Sequence, residues 1–85
     1  MLIRSQDRKI LINASDLRIH EERKGFYIRS RIDVLGTYST EEKALKVMDM
    51  IEDTILKCEA MRTGYAEYDF GAFVFDMPAD KDVEV

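Results

Sequence analysis

Tryptophan is absent from this chain, and cysteine, histidine and proline occur once each, as Cys58, His20 and Pro78. A single cysteine excludes an internal disulfide. With a single histidine beside it, a closed zinc site made of those two residue types is excluded as well. No apolar run approaches the roughly 18 residues that a membrane-spanning helix needs. Met1-Leu2-Ile3 turns at once to Arg4, so nothing reads as a signal peptide and a cytoplasmic protein is expected. Neither a Walker motif nor the glycine pattern of a dinucleotide site occurs.

What is present is enough for one domain. The 85 residues are 46% hydrophobic, a composition that folds rather than stays disordered. A core of this size is marginal, and without disulfide or zinc the remaining support is association between copies. The net charge of −4 argues against a partner that is a DNA or RNA polymer. Charge is unevenly spread: residues 1–38 carry eight Lys/Arg against five Asp/Glu, and residues 39–85 carry five against twelve. A mildly basic first half suits a small anionic ligand, and an ordinary solvated surface accounts for the same charges equally well.

Element by element, the pattern predicts an α+β domain over residues 1–85: a small N-terminal antiparallel sheet, one long helix and a C-terminal strand. Short strands are expected at Leu2–Arg4 and Ile10–Ile12, and a longer one over Leu17–Glu22. A hairpin turn at Lys24-Gly25 leads into a strand over Phe26–Val34, where Phe26, Ile28, Ser30, Ile32 and Val34 alternate with Tyr27, Arg29, Arg31 and Asp33. Leu35–Tyr38 continues extended past Gly36. Ser39 followed three residues later by Glu42 reads as a capping box, opening a helix from about Thr40 to Arg62 with Gly64 as its C-cap. Phe70–Met77 is the last strand, ended by Pro78, and 79–85 reads as a flexible acidic tail.

The helix carries two apolar stripes. One is Leu45, Met48, Ile51, Ile55 and Cys58; the other is Ala44, Val47, Met50, Thr54 and Met61. Together they exceed what one small sheet face covers, so a helix-mediated homo-oligomer, dimer or tetramer, is expected, with Val47 and Met50 near the contact.

Chemistry-bearing residues are sparse. His20 lies on a strand beside Glu21 and Glu22, and Cys58 lies on an apolar stripe; neither has the neighbours of a nucleophilic site. Asp49, Glu52 and Asp53 form an acidic helix face that solvent accounts for. No enzyme, metal or cofactor is expected. Three features point instead to ligand binding. Arg4, Ser5 and Gln6 offer a guanidinium, a hydroxyl and an amide at one turn. Tyr27, Arg29 and Arg31 share a strand face suited to an anionic, planar molecule. Tyr65, Tyr68, Phe70, Phe73 and Phe75 crowd five aromatics into eleven residues. Of these, Phe73 and Phe75 read as core, and Tyr65 and Tyr68 as the better stacking groups.

Three segments, Ile3-Arg4-Ser5-Gln6-Asp7, Leu35–Ile51 with its Gly36-Thr37-Tyr38-Ser39-Thr40-Glu41-Glu42 start, and Phe75-Asp76-Met77-Pro78, carry a resemblance in order along nearly the whole chain. They resemble a group of small proteins from phages and mobile elements of Gram-positive bacteria. That group is similar to phage anti-defence "sponge" proteins, which inhibit CBASS or Thoeris immunity by sequestering a cyclic nucleotide or cyclic ADP-ribose signal without cleaving it. The resemblance implies an oligomer with pockets near subunit junctions, acting in the infected host cell. It also directs attention to Arg4, Ser5, Gln6, Tyr38, Ser39, Phe75 and Met77. A protein-interaction module that inhibits a host protein directly, through the acidic helix or tail, is the competing expectation.

Overall fold

The alternating middle of the chain folds as an antiparallel meander. Strands β3 (Arg18–Glu22), β4 (Gly25–Arg29) and β5 (Val34–Tyr38) pair in the order β3-β4-β5. A second sheet has the order β2-β1-β6, built from β1 (Leu2–Arg4), β2 (Leu11–Asn13) and β6 (Val74–Asp76). Helix α1 (Glu41–Gly64) joins β5 to the region before β6. The computed structural model describes residues 1–13, 15–64 and 74–85, with helix side chains described as far as Lys57. The α+β class is as expected, with two small sheets where one was anticipated. β6 lies parallel to β1, with Ile3 opposite Phe75, while β2 is antiparallel to β1 with Ile3 opposite Ile12.

The expected strand Phe26–Val34 is broken. β4 stops at Arg29 because Ser30 offers the backbone local partners. Its hydroxyl accepts the Asp33 amide at 3.0 Å and the Ile32 amide at 3.4 Å, and the Ser30 amide donates to the Asp33 carbonyl at 2.9 Å. Ile32, placed by alternation on the side of Ile28, therefore stands on a turn and is 84% exposed, whereas Ile28 is fully buried. The chain re-enters the sheet with a bulge. Ile28 faces Gly36 and Arg29 faces Val34, so Leu35 is the extra residue. β2 is likewise shifted by one residue from the expected Ile10–Ile12.

The helix begins one residue later than a Ser39 cap requires. Thr40 is the N-cap: its Oγ1 accepts the Lys43 amide at 3.1 Å and its carbonyl accepts the Ala44 amide at 3.2 Å. No Ser39–Glu42 capping box forms, because Asp80 takes Ser39 first. The Asp80 carboxylate accepts the Ser39 amide at 2.8 Å and the Ser39 hydroxyl at 3.0 Å, and Lys43 Nζ donates to the Asp80 carbonyl at 2.9 Å. The segment after Pro78, read as a flexible tail, thus turns back over the helix start. Asp80–Asp82 is a single 3₁₀ turn and Val83 is buried.

Ala44, Val47 and Ile51 pack into the core with Ile28, Leu35 and Tyr38. Met48 and Ile55 pack against that cluster from the side. Val47, expected near a subunit contact, is instead fully buried within one copy, while Leu45, expected on the core stripe, is 48% exposed. The sheet meets the helix on the Ala44–Val47–Ile51 line, about 100° around the helix from the midpoint of Leu45 and Met48. Met61 and Cys58 lie outside the described side chains.

Gln6 ties the two sheets together. Its amide donates to the Thr37 carbonyl at 3.2 Å and the Pro78 carbonyl at 2.9 Å, and its side-chain oxygen accepts the Thr37 amide at 2.8 Å. The Gln6 backbone amide donates to the carbonyl of bulged Leu35 at 2.8 Å. Tyr38 reaches the same Pro78 carbonyl with its hydroxyl at 2.8 Å. Gly36 sits under this knot, where a Cβ would lie 3.0 Å from the Met77 methyl and from the Tyr38 hydroxyl.

Gln6→Ala strands the Thr37 amide and carbonyl, while the Pro78 carbonyl keeps the Tyr38 hydroxyl, and each group left unsatisfied costs about 1–3 kcal/mol. A loss of at least about 2 kcal/mol in denaturant unfolding is expected. Gln6→Glu keeps the acceptor but not the two donors, and should recover only part of it.

Thr40→Ala should lower stability by about 1 kcal/mol through loss of the cap. Ser39→Ala should cost less, because Asp80 keeps the Ser39 amide. Hydrogen bonds from the Ser39 amide and hydroxyl, with Lys43 nearby, hold the Asp80 carboxyl below its ordinary 3.8. A depressed folded-state value means that Asp80 contributes fully above the unfolded value and loses its contribution as pH falls through the folded one. Thermal unfolding from pH 6 down to pH 2 should therefore fall less steeply for Asp80→Asn than for the parent protein.

Candidate functional site

The structure brings most of the sequence-predicted residues to one place, the junction of the two sheets, and there it spends them on the fold. Ser5 is 3% exposed. Its hydroxyl accepts the Ile10 amide at 3.1 Å and donates to the Asp7 carboxylate, which also accepts the Lys9 amide. Gln6 is committed to Thr37 and Pro78 as described. Tyr38 is 1% exposed. Burial pushes its phenol up to about 12, so it stays a neutral donor at any biological pH. Phe75 and Met77 are core residues. Among the described residues, no buried side-chain nitrogen or oxygen lacks a partner.

Two of the group reach solvent. Ser39 is exposed but engaged by Asp80. The Arg4 side chain is about one-third exposed; its guanidinium donates to the Arg8 carbonyl at 3.3 Å and sits 3.8 Å from the Asp76 carboxylate, loose contacts that leave donors free. A groove of about 260 Å³ lies beside this knot, lined by Gln6, Asp7 and Thr37 among others. Tyr65 and Tyr68 lie outside the described residues, as do Phe70 and Phe73.

The outer face of the β3-β4-β5 sheet is a different surface. The helix packs on the side that carries Ile28, and strand alternation puts Tyr27 and Arg29 on the other. Directly opposite residues share a face, so the register places Arg18 beside Arg29, and His20 and Thr37 on either side of Tyr27. Arg29 Nε donates only to the neighbouring Ser30 carbonyl at 3.3 Å, and among the described residues neither Arg18 nor Arg29 forms an ion pair. His20 is occupied by Glu22 at 3.3 Å. Arg31, expected on this face with Tyr27 and Arg29, is moved off it by the Ser30–Asp33 turn. Arg18 was missed by sequence reasoning. The expected turn at Lys24-Gly25 lies one residue too late: the observed turn is Arg23-Lys24, with Gly25 already in β4 opposite Glu22, and counting outward from the expected turn would have set Arg31, not Arg29, opposite Arg18.

Two hollows flank the loop from β2 to β3, and Ser15 lines both. On the helix side, Leu17, Met48, Ile51 and Ile55 line a groove of about 320 Å³ together with Asp16, Asp49, Glu52 and the exposed Leu56. On the other side, Asn13, Ser30, Arg31 and Ile32 border one of about 270 Å³. Among the described residues no group of three or more His, Cys, Asp or Glu side chains is placed to hold a metal ion. No described helix is long and apolar enough to cross a membrane.

No protein-family model, no curated protein and no solved structure matches this chain.

Proposed function

We propose that the protein binds and sequesters a cyclic (oligo)nucleotide immune signal, such as a cyclic dinucleotide, without cleaving it. It acts as an anti-defence protein against CBASS-type immunity in the cytoplasm of an infected bacterial host. The observation that carries this reading is the Arg18–Arg29 pair beside Tyr27 on the open sheet face. Like charges set directly opposite each other weaken a sheet. A bound phosphate relieves that repulsion and takes the guanidinium forks it is shaped for. Tyr27, two pairs along the ladder and so on the same face, offers a ring for a base to stack on. No nucleophile is needed for sequestration. The exposed apolar residues Leu45, Met50 and Leu56 on the helix favour a homo-oligomer, dimer or tetramer, whose formation would enclose a ligand more fully than one copy does.

The protein incubated with radiolabelled cyclic dinucleotides, desalted and then heated should release the label as intact nucleotide. Altered products would make it an enzyme, and failure to retain any cyclic nucleotide would leave direct inhibition of a host protein as the reading. Arg29→Ala should weaken binding by about 1.5–3 kcal/mol, the range for hydrogen bonds to charged groups. Tyr27→Ala should cost about 1–3 kcal/mol by loss of stacking. His20→Ala should leave retention nearly unchanged. Arg4→Ala separates the two surfaces: a loss matching that of Arg29→Ala would move the site to the sheet junction.

A further inference from the structure

The turn after β4 and the groove under α1 have opposite characters. Ile32 is the most exposed large apolar residue among those described, and it is not left on a loose loop: the Ser30 hydroxyl and backbone hold the turn with four hydrogen bonds. Arg31 precedes it, exposed and without an ion pair among the described residues. The turn is a rigid apolar knob with a cation beside it. The groove is its complement, lined by apolar residues that include the pliable Met48 together with Asp16, Asp49 and Glu52, and with no cation among its lining. Leu56, which also lines it, is 60% exposed.

We propose that the occupant of this groove is a second copy of the chain, docked through its Arg31–Ile32 turn. Ile32 meets the apolar residues of the groove and Arg31 its carboxylates. Position supports the pairing as well as charge. Knob and groove flank the same β2–β3 loop, with Ser15 lining both hollows. A two-fold axis near that loop lets each copy insert its turn into the other's groove, which closes the assembly at two. A head-to-tail contact between distant surfaces would instead propagate. The inference rests on the oligomer reading above but not on nucleotide binding, since neither Arg18, Arg29 nor Tyr27 takes part.

Light scattering on the purified protein at micromolar concentration, without nucleotide, tests it. The parent protein should have twice the chain mass. Ile32→Asp should halve that mass, as should Arg31→Glu and Glu52→Arg separately, with far-ultraviolet circular dichroism unchanged because all three residues are exposed. Mixing the Arg31→Glu and Glu52→Arg proteins should restore the dimer, since both contacts in the mixed pair then join opposite charges. A parent protein of single-chain mass overturns this inference and the oligomer reading together. A parent dimer that survives Ile32→Asp overturns this inference alone, and so does a mixture that stays monomeric. Retention of labelled cyclic dinucleotide by the Ile32→Asp monomer would leave the ligand reading standing by itself.

Discussion

The fold depends on one amide. The two sheets share no ladder, and among the described residues helix α1 packs chiefly against β4 and β5. What locks the junction is Gln6, which answers both the donor and the acceptor of Thr37 and reaches Pro78 beyond β6. A glutamine suits the position because it carries two donors and an acceptor at the end of a flexible stem. A carboxylate lacks the donors and a lysine lacks the acceptor. The bulge at Leu35 belongs to the same arrangement: by leaving one carbonyl out of the β4–β5 ladder, it supplies the partner for the Gln6 backbone amide. Gly36 then admits the Met77 methyl and the Tyr38 hydroxyl at close range.

This explains why the residues that stand out in the sequence are not free for a ligand in a single copy. Ser5, Gln6, Tyr38, Phe75 and Met77 stand out because their chemistry is specific, and specific chemistry serves a sheet junction as well as a binding pocket. A small polar side chain between short strands is ambiguous from sequence, since what decides is whether its partners are supplied from within the chain. For Gln6 they come from Thr37, 31 residues away, and from Pro78, 72 residues away. No local pattern carries that information.

Elements were legible where a single period ran without competition. β3 and β4 alternate cleanly, and the helix is recognisable from its length and its acidic first turn. Three of the departures from expectation have a nameable reason. Ser30 turned its hydroxyl to the local backbone and broke a strand that alternation carries through to Val34. Asp80 captured Ser39 and passed the cap to Thr40. The core line on the helix runs through Ala44, Val47 and Ile51, because the sheet approaches from that side and not from the side of Leu45. In each case a contact distant in sequence, or a local hydrogen bond, overrode the hydrophobic pattern.

The division of charge along the chain acquires a spatial meaning from the fold. The basic first half supplies all of the open β3-β4-β5 sheet and two strands of the other, and α1 with its carboxylates packs against the inner face of the open one. Packed layers stand about 10 Å apart, and the Debye length at physiological ionic strength is about 8 Å. Carboxylates on the solvent side of the helix are farther still from Arg18 and Arg29. Their repulsion of an anion at the outer face is therefore largely screened, while the two arginines act on it at contact distance. A net charge of −4 tells against a long polyanion, which must cross many such surfaces. It does not tell against a small one, which meets only the face it binds. The same separation leaves the acidic groove beside α1 open to a cationic turn, so one chain presents an anion-seeking and a cation-seeking surface without the two cancelling.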